Sequence, residues 1–131
     1  MWLIRGEFAD RGWVDVAQWF AELDFESHQH MRDIVASVLG SGVADRLGVT
    51  TSMHDLVVVS LDAKTWYYET IRVASPSSLV PVRDGCCVLV FQGRKRRGQG
   101  SHEVQERLVE EAVPAFWDMV GEKFGIRPSP S

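Results

Sequence analysis

The chain has 131 residues, 45% hydrophobic and 24% charged, a globular composition that excludes wholesale disorder. Fourteen basic residues against eighteen acidic ones give a formal charge of −4, so a general nucleic-acid binder is excluded and no sequence-specific nucleic-acid recognition is expected. The longest apolar run, residues 86–91, is far too short to span a membrane, and residues 2–7 lack a secretory apolar stretch. A cytoplasmic location without membrane association is therefore expected. The length predicts one α+β domain over residues 1–127, with a frayed tail at 128–131. The two cysteines, Cys86 and Cys87, are adjacent and point to opposite faces of any strand, so they are expected to stay reduced.

Residues 2–8 read as a short strand and residues 10–12 as a turn. Residues 13–23 fit either a helix or the return strand of a hairpin. Helix is preferred because the stretch is rich in helix formers and has no central turn signal. The next helix is predicted from an N-cap at Asp24 to a stop at Gly40. Met31, Ile34, Val35, Val38 and Leu39 form its apolar face, with His28 at the margin.

Residues 42–51 are punctuated by Gly42 and Gly48 and leave room for one short helical turn. Residues 56–61 form a β-branched run, and residues 62–64 resemble a short hairpin connection to a second strand over 65–73. On that strand Tyr67, Ile71 and Val73 share one face, while Trp66, Tyr68, Thr70 and Arg72 share the other. Residues 79–82 could add an edge strand, where Pro81 is tolerable. Residues 86–91 are apolar on both faces and predict a covered interior strand. A helix is expected from an N-cap at Ser101, with Val104, Leu108, Ala112, Phe116 and Val120 as its stripe and a kink or break at Pro114. The predicted architecture is an antiparallel sheet of about four strands, with two or three helices on one face.

The most distinctive local feature is the glycine-flanked run Arg94, Lys95, Arg96 and Arg97, followed by Gly98, Gly100 and Ser101. Removing these four cations leaves the remainder at −8, so the charge is polarised. Glycines let backbone N–H groups turn toward an anion, and a helix beginning at Ser101 would add its positive end. Lys95, Gly98 and Gly100 resemble the pyrophosphate loop of GNAT-type N-acetyltransferases, a resemblance that implies a CoA pyrophosphate held at a loop–helix junction. The Gly93 to Gly98 spacing is similar to the phosphate loop of P-loop NTPases, but Gln99 and Gly100 stand where lysine and hydroxyl belong. The predicted order of helix, strands and helix, with basic residues before the last helix, resembles double-stranded RNA-binding domains. Glu103, Glu106, Glu110 and Glu111 would repel phosphate there.

Glu26, His30 and Asp33 fall at i, i+4 and i+7, which places an imidazole between two carboxylates on the polar face of a helix. Such a group could run acid–base chemistry, although ordinary exposed helices often carry the same spacing. It lacks an HExxH pattern and further placed ligands, so no metal is expected. His54 and Asp55 precede a strand, and His102 lies beside Ser101. The cysteines read as small hydrophobes of a strand. Trp66, Tyr68 and Arg72 form a candidate partner surface, since exposed aromatics mark interfaces, and a homo-oligomer is compatible with it.

The expected function is a non-catalytic binding or regulatory domain without a cofactor. It would recognise an acidic protein or a phosphate-bearing ligand through the basic loop and the aromatic sheet face. The alternatives are a small acyltransferase-like enzyme holding a CoA or nucleotide pyrophosphate, and a hydrolytic or metal site on Glu26, His30 and Asp33.

Overall fold

The computed structural model describes residues 12–23, 26–62, 69–76, 78–93 and 102–129. Residues 13–23 are indeed helical and form α1 (Trp13–Leu23), which buries Trp13, Val16 and Phe20 at helical spacing. A 3-10 turn (Glu26–His28) leads into α2 (Gln29–Leu39), whose Met31, Ile34, Val35 and Val38 are buried. Leu39, expected on that face, is instead exposed. Gly40 ends the helix by donating its N–H to the Ala36 carbonyl. Asp24 lies outside the described residues, and His28 occupies the position before α2.

A second 3-10 turn (Ala44–Arg46) supplies the helical turn expected between Gly42 and Gly48. The strands follow as β1 (Leu47–Ser52), β2 (Asp55–Ser60), β3 (Thr70–Ala74), β4 (Cys86–Gln92) and β5 (His102–Leu108). They make one antiparallel sheet in the order β1-β2-β3-β4-β5, so every strand pairs with its neighbour in sequence. A third 3-10 turn (Val109–Glu111) leads from β5 into α3 (Ala112–Phe124).

One face of the sheet carries Val49, Leu56, Val58, Ile71, Val73 and Leu89, which join the buried side chains of all three helices in one core. The expected helices-on-one-face arrangement holds. On the other face Val57 and Val59 are buried as a small second cluster with Leu61. That cluster explains why residues 56–59 of β2 are apolar without a break: both faces of the strand are covered.

Four expectations are corrected. Residues 47–52, most of which fall in the glycine-punctuated stretch 42–51 where no strand was expected, are strand β1. Gly48 weakens the strand signal, but Leu47 and Val49 are buried against the helices. Residues 79–82 are not a strand; the chain turns there, with Ser78 donating its N–H to the Ser75 carbonyl. Residues 102–108, expected as helix, are β5, because β4 pairs with them residue for residue from Cys86↔Leu108 to Gln92↔His102. The C-terminal helix begins only at Ala112, which puts Pro114 in its first turn where no intrahelical N–H is needed. The kink expected at Pro114 is therefore a start. The strand expected at 2–8 and the segment 63–68 lie outside the described residues.

Past α3, Ile126 is buried and the Ser129 N–H donates to the Ser41 carbonyl at 2.8 Å. The backbone is thus tied down as far as Ser129. Among the described residues no helix is long and apolar enough to cross a membrane.

Candidate functional site

A cleft of about 390 Å³ opens where the start of α2, the β3–β4 connection and the turn after β5 meet. Its wall includes Glu26, His30, Asp33, Asp84, Cys86 and Glu110. Local chemistry accounts for the convergence. Glu26, His30 and Asp33 share one face of the first helical turns, as their spacing requires. Arg83 to Cys86 make a tight turn in which the Cys86 N–H donates to the Arg83 carbonyl at 3.0 Å. Its third residue, Gly85, sits at φ 75°, the left-handed conformation that a type II turn demands. The Val109 N–H donates to the Gly85 carbonyl at 3.0 Å, which pins Glu110 beside Asp84 and Cys86.

The rim is acidic. None of the salt bridges among the described residues takes Glu26, Asp33, Asp84 or Glu110. Arg83, the cation in the wall, is already committed to Glu106, and that partner raises the guanidinium's pKa and lowers the carboxylate's. Asp33 accepts a hydrogen bond from Gln29 Nε2 at 3.0 Å. His30 is not on the helix's polar surface, as its spacing suggested, but is 5% exposed. Burial first, and then the neighbouring His28, hold its pKa below the ordinary value, with Asp33 pulling the other way. Its Nε2 is buried without a hydrogen-bond partner among the described residues. A neutral imidazole therefore lies within an anionic wall.

Cys86 and His30 line the same cleft, but among the described residues His30 Nε2 makes no hydrogen bond to the Cys86 thiol or to any other group. Cys86 is half-buried, whereas both cysteines were expected to be buried; Cys87 faces the helices and burial pushes its thiol up to about 11. Both thiols are free. Among the described residues no three His, Cys, Asp or Glu side chains converge to hold a metal ion.

The remaining sequence candidates distribute differently. Arg94, Lys95, Arg96, Arg97, Gly98, Gly100 and Ser101 lie outside the described residues, in the connection between β4 and β5. Residues 102–108 are strand β5, so the helix expected to begin at Ser101, which the acyltransferase-like alternative also needs, does not run through them. Trp66 and Tyr68 also lie outside the described residues. Arg72 projects from the face opposite the helices, where its Nη1 donates to Asp55 Oδ2 at 2.8 Å.

That ion pair belongs to a polar cluster the sequence reading missed. Asp55, 1% exposed, also accepts from the Ser75 N–H at 2.8 Å and from Ser78 Oγ at 2.7 Å. Ser75 and Ser78 were the available signal, since hydroxyls and turn N–H groups suit a buried carboxylate. Beside it the rings of His28 and His54 meet edge to face at 5.6 Å, and Trp19 lies 5.3 Å from His54. Comparison with protein-family models, with curated proteins and with solved structures gives no match, so the functional reading rests on this geometry.

Proposed function

We propose that the chain is a non-catalytic binding domain whose acidic cleft receives a cationic group, a guanidinium or amine presented by a protein partner. The observation that carries this reading is the rim of Glu26, Asp33, Asp84 and Glu110, none of which has a salt-bridge partner among the described residues. Like charges around one cleft repel one another, and a bound cation relieves that repulsion. Neutral His30 adds no opposing charge. A planar guanidinium offers several N–H donors to a set of carboxylates, which suits it better than a metal ion to a cleft this wide.

Each exposed carboxylate contributes about 0.2–1 kcal/mol to such a contact, so single substitutions should weaken binding up to about fivefold. Calorimetry with a blocked arginine and with spermidine is the direct test. Binding that falls as salt rises, and falls further in Asp84→Asn with Glu110→Gln, is expected. Equal binding by wild type and that double variant overturns the reading.

A second reading keeps the recognition of an acidic protein or phosphate-bearing ligand by the cations Arg94, Lys95, Arg96 and Arg97. It is supported by the register, which ends at Gln92↔His102 and makes residues 93–101 the connection of a hairpin, at the end of β4 away from the cleft. The same calorimetry with inorganic phosphate and an acidic peptide tests it. Binding abolished by replacing the four cations with serine, and untouched by the cleft variants, would favour it.

A further inference from the structure

The two edges of the sheet are finished differently. At the β1 edge, the Leu61 N–H donates to the Arg46 carbonyl, so the backbone groups of the next residue, Leu47, point away from β2. That outward Leu47 carbonyl is taken by Trp13 Nε1 at 2.8 Å, and the start of β1 is buried. Helix α1 thus covers the start of this edge.

The β5 edge has no helix across it among the described residues; only exposed side chains touch its outward backbone, Glu111 Oε1 accepting from the Leu108 N–H at 3.2 Å and Arg107 Nη1 donating to the Glu106 carbonyl at 2.9 Å. β5 pairs with β4 alone, five of its seven residues are exposed, and Val104 and Leu108 are 55% and 54% exposed. His102–Leu108 contains no Pro, Gly or Lys and pairs with β4 without a bulge, and its charges, Glu103, Glu106 and Arg107, are of both signs, so they can match a second copy as well as repel one. The Val109 N–H to Gly85 carbonyl bond sets the phase of the ladder. Alternation then turns the backbone N–H and C=O groups of His102, Val104, Glu106 and Leu108 outward.

We propose that β5 is a homodimerisation edge, on which two copies pair antiparallel about a two-fold axis at Gln105 to form a continuous ten-stranded sheet. In that register His102 faces Leu108 of the second copy and Val104 faces its Glu106, each pair presenting outward backbone groups on both sides once the Leu108 N–H and the Glu106 carbonyl exchange their exposed side-chain partners, Glu111 and Arg107, for the second backbone. Glu103 faces Arg107 of the other copy, twice by symmetry, in the closer non-hydrogen-bonded positions. Val104 lies diagonal to both Val104 and Leu108 of the second copy, so the exposed apolar side chains meet in one row. Shifting the axis to Glu106 would oppose that carboxylate to its own copy and shorten the overlap. Charge and length therefore select Gln105. Glu103 already accepts from Lys123 Nζ at 3.2 Å and from Gln105 Nε2 at 2.6 Å, which holds the carboxylate in place on this edge.

The test is sedimentation equilibrium of the full chain from low micromolar to near-millimolar concentration. Wild type should approach twice the 14.7 kDa chain mass. Val104→Pro removes only an outward N–H and should leave a monomer, with Val104→Lys as a second variant should the proline disturb folding. Glu103→Lys and Arg107→Glu each oppose like charges twice and should raise the dimer's Kd about tenfold. An equimolar mixture of these two variants restores opposite charges at both sites and should recover wild-type affinity. A wild type monomeric at every concentration, a dimer indifferent to both Val104 variants, or a mixture that fails to recover, overturns the proposal.

Discussion

At the scale of single residues the molecule turns on two buried polar groups, Asp55 and His30. Asp55 is satisfied by Arg72, Ser75 and Ser78, and Arg72 retains 34% side-chain exposure. Removing the carboxylate's charge strands a guanidinium and two donors, so Asp55→Asn should cost about 3 kcal/mol. Urea denaturation should show a lowered midpoint with an unchanged slope, and an unchanged midpoint would sink the account. His30 and His28 are both held below the ordinary 6.5, in each case by burial first. For His28, His54 and Arg32 add to the lowering and Asp55 opposes it. Between the lowered values and 6.5 the unfolded chain binds more protons than the folded one. This stability is whole above the unfolded value and is lost as pH falls toward the folded ones. The Tm should therefore drop between about pH 7.5 and 5.5, and His30→Gln should flatten that slope. A Tm flat across this window in wild type would contradict the buried neutral imidazoles. Sequence spacing found His30 but placed it on the wrong side of the surface, because periodicity ranks polarity and says nothing of what the rest of the fold packs around it.

At the scale of elements, the legible strands were those covered on both faces. β2 and β4 announce themselves as unbroken apolar runs, and α2 by four buried side chains at helical spacing. β1 was hidden by Gly48, and β5 by helix-forming residues running into a real helix. Intrinsic propensity is worth tenths of a kcal/mol per residue, whereas an unpaired β4 would leave a row of backbone groups without partners. Pairing wins. Pro114 was seen as a kink or break inside a helix, whereas a proline forbids continuous helix beyond one turn upstream and so marks the start of α3. The ladder phase gives a sharp expectation within β5. Proline at Gln105 removes an N–H bonded to β4 and should cost about 2–3 kcal/mol. Proline at Val104 removes an outward N–H and should cost the monomer much less. Equal costs by thermal melting would show that the phase is misassigned.

At the scale of the whole molecule, charge is organised by the β4–β5 hairpin. β4 begins at Cys86 in the acidic cleft and ends at Gln92, roughly 20 Å away along the strand. The four cations at 94–97 follow that far end in sequence, and the chain without them carries −8. The sequence reading saw the basic half of this polarity because it is contiguous. The acidic half is drawn from separate segments at Glu26, Asp33, Asp84 and Glu110, which only the fold assembles. Cys86 is a reporter built into the acidic end: it is half-buried and lines the cleft, while neighbouring Cys87 is buried with its thiol pushed up to about 11. A cationic methanethiosulfonate should therefore modify Cys86 about tenfold faster than an anionic reagent of similar size, beyond their ratio on a free thiol. Raising salt should shrink the difference, and Asp84→Asn with Glu110→Gln should shrink it at low salt. Cys87 should react only after unfolding. Saturating spermidine should slow the cationic reagent at Cys86 if the cleft is where it binds. Equal rates for the two reagents at low ionic strength would mean that the rim carboxylates exert no field at Cys86, and the cleft would lose its claim to cations.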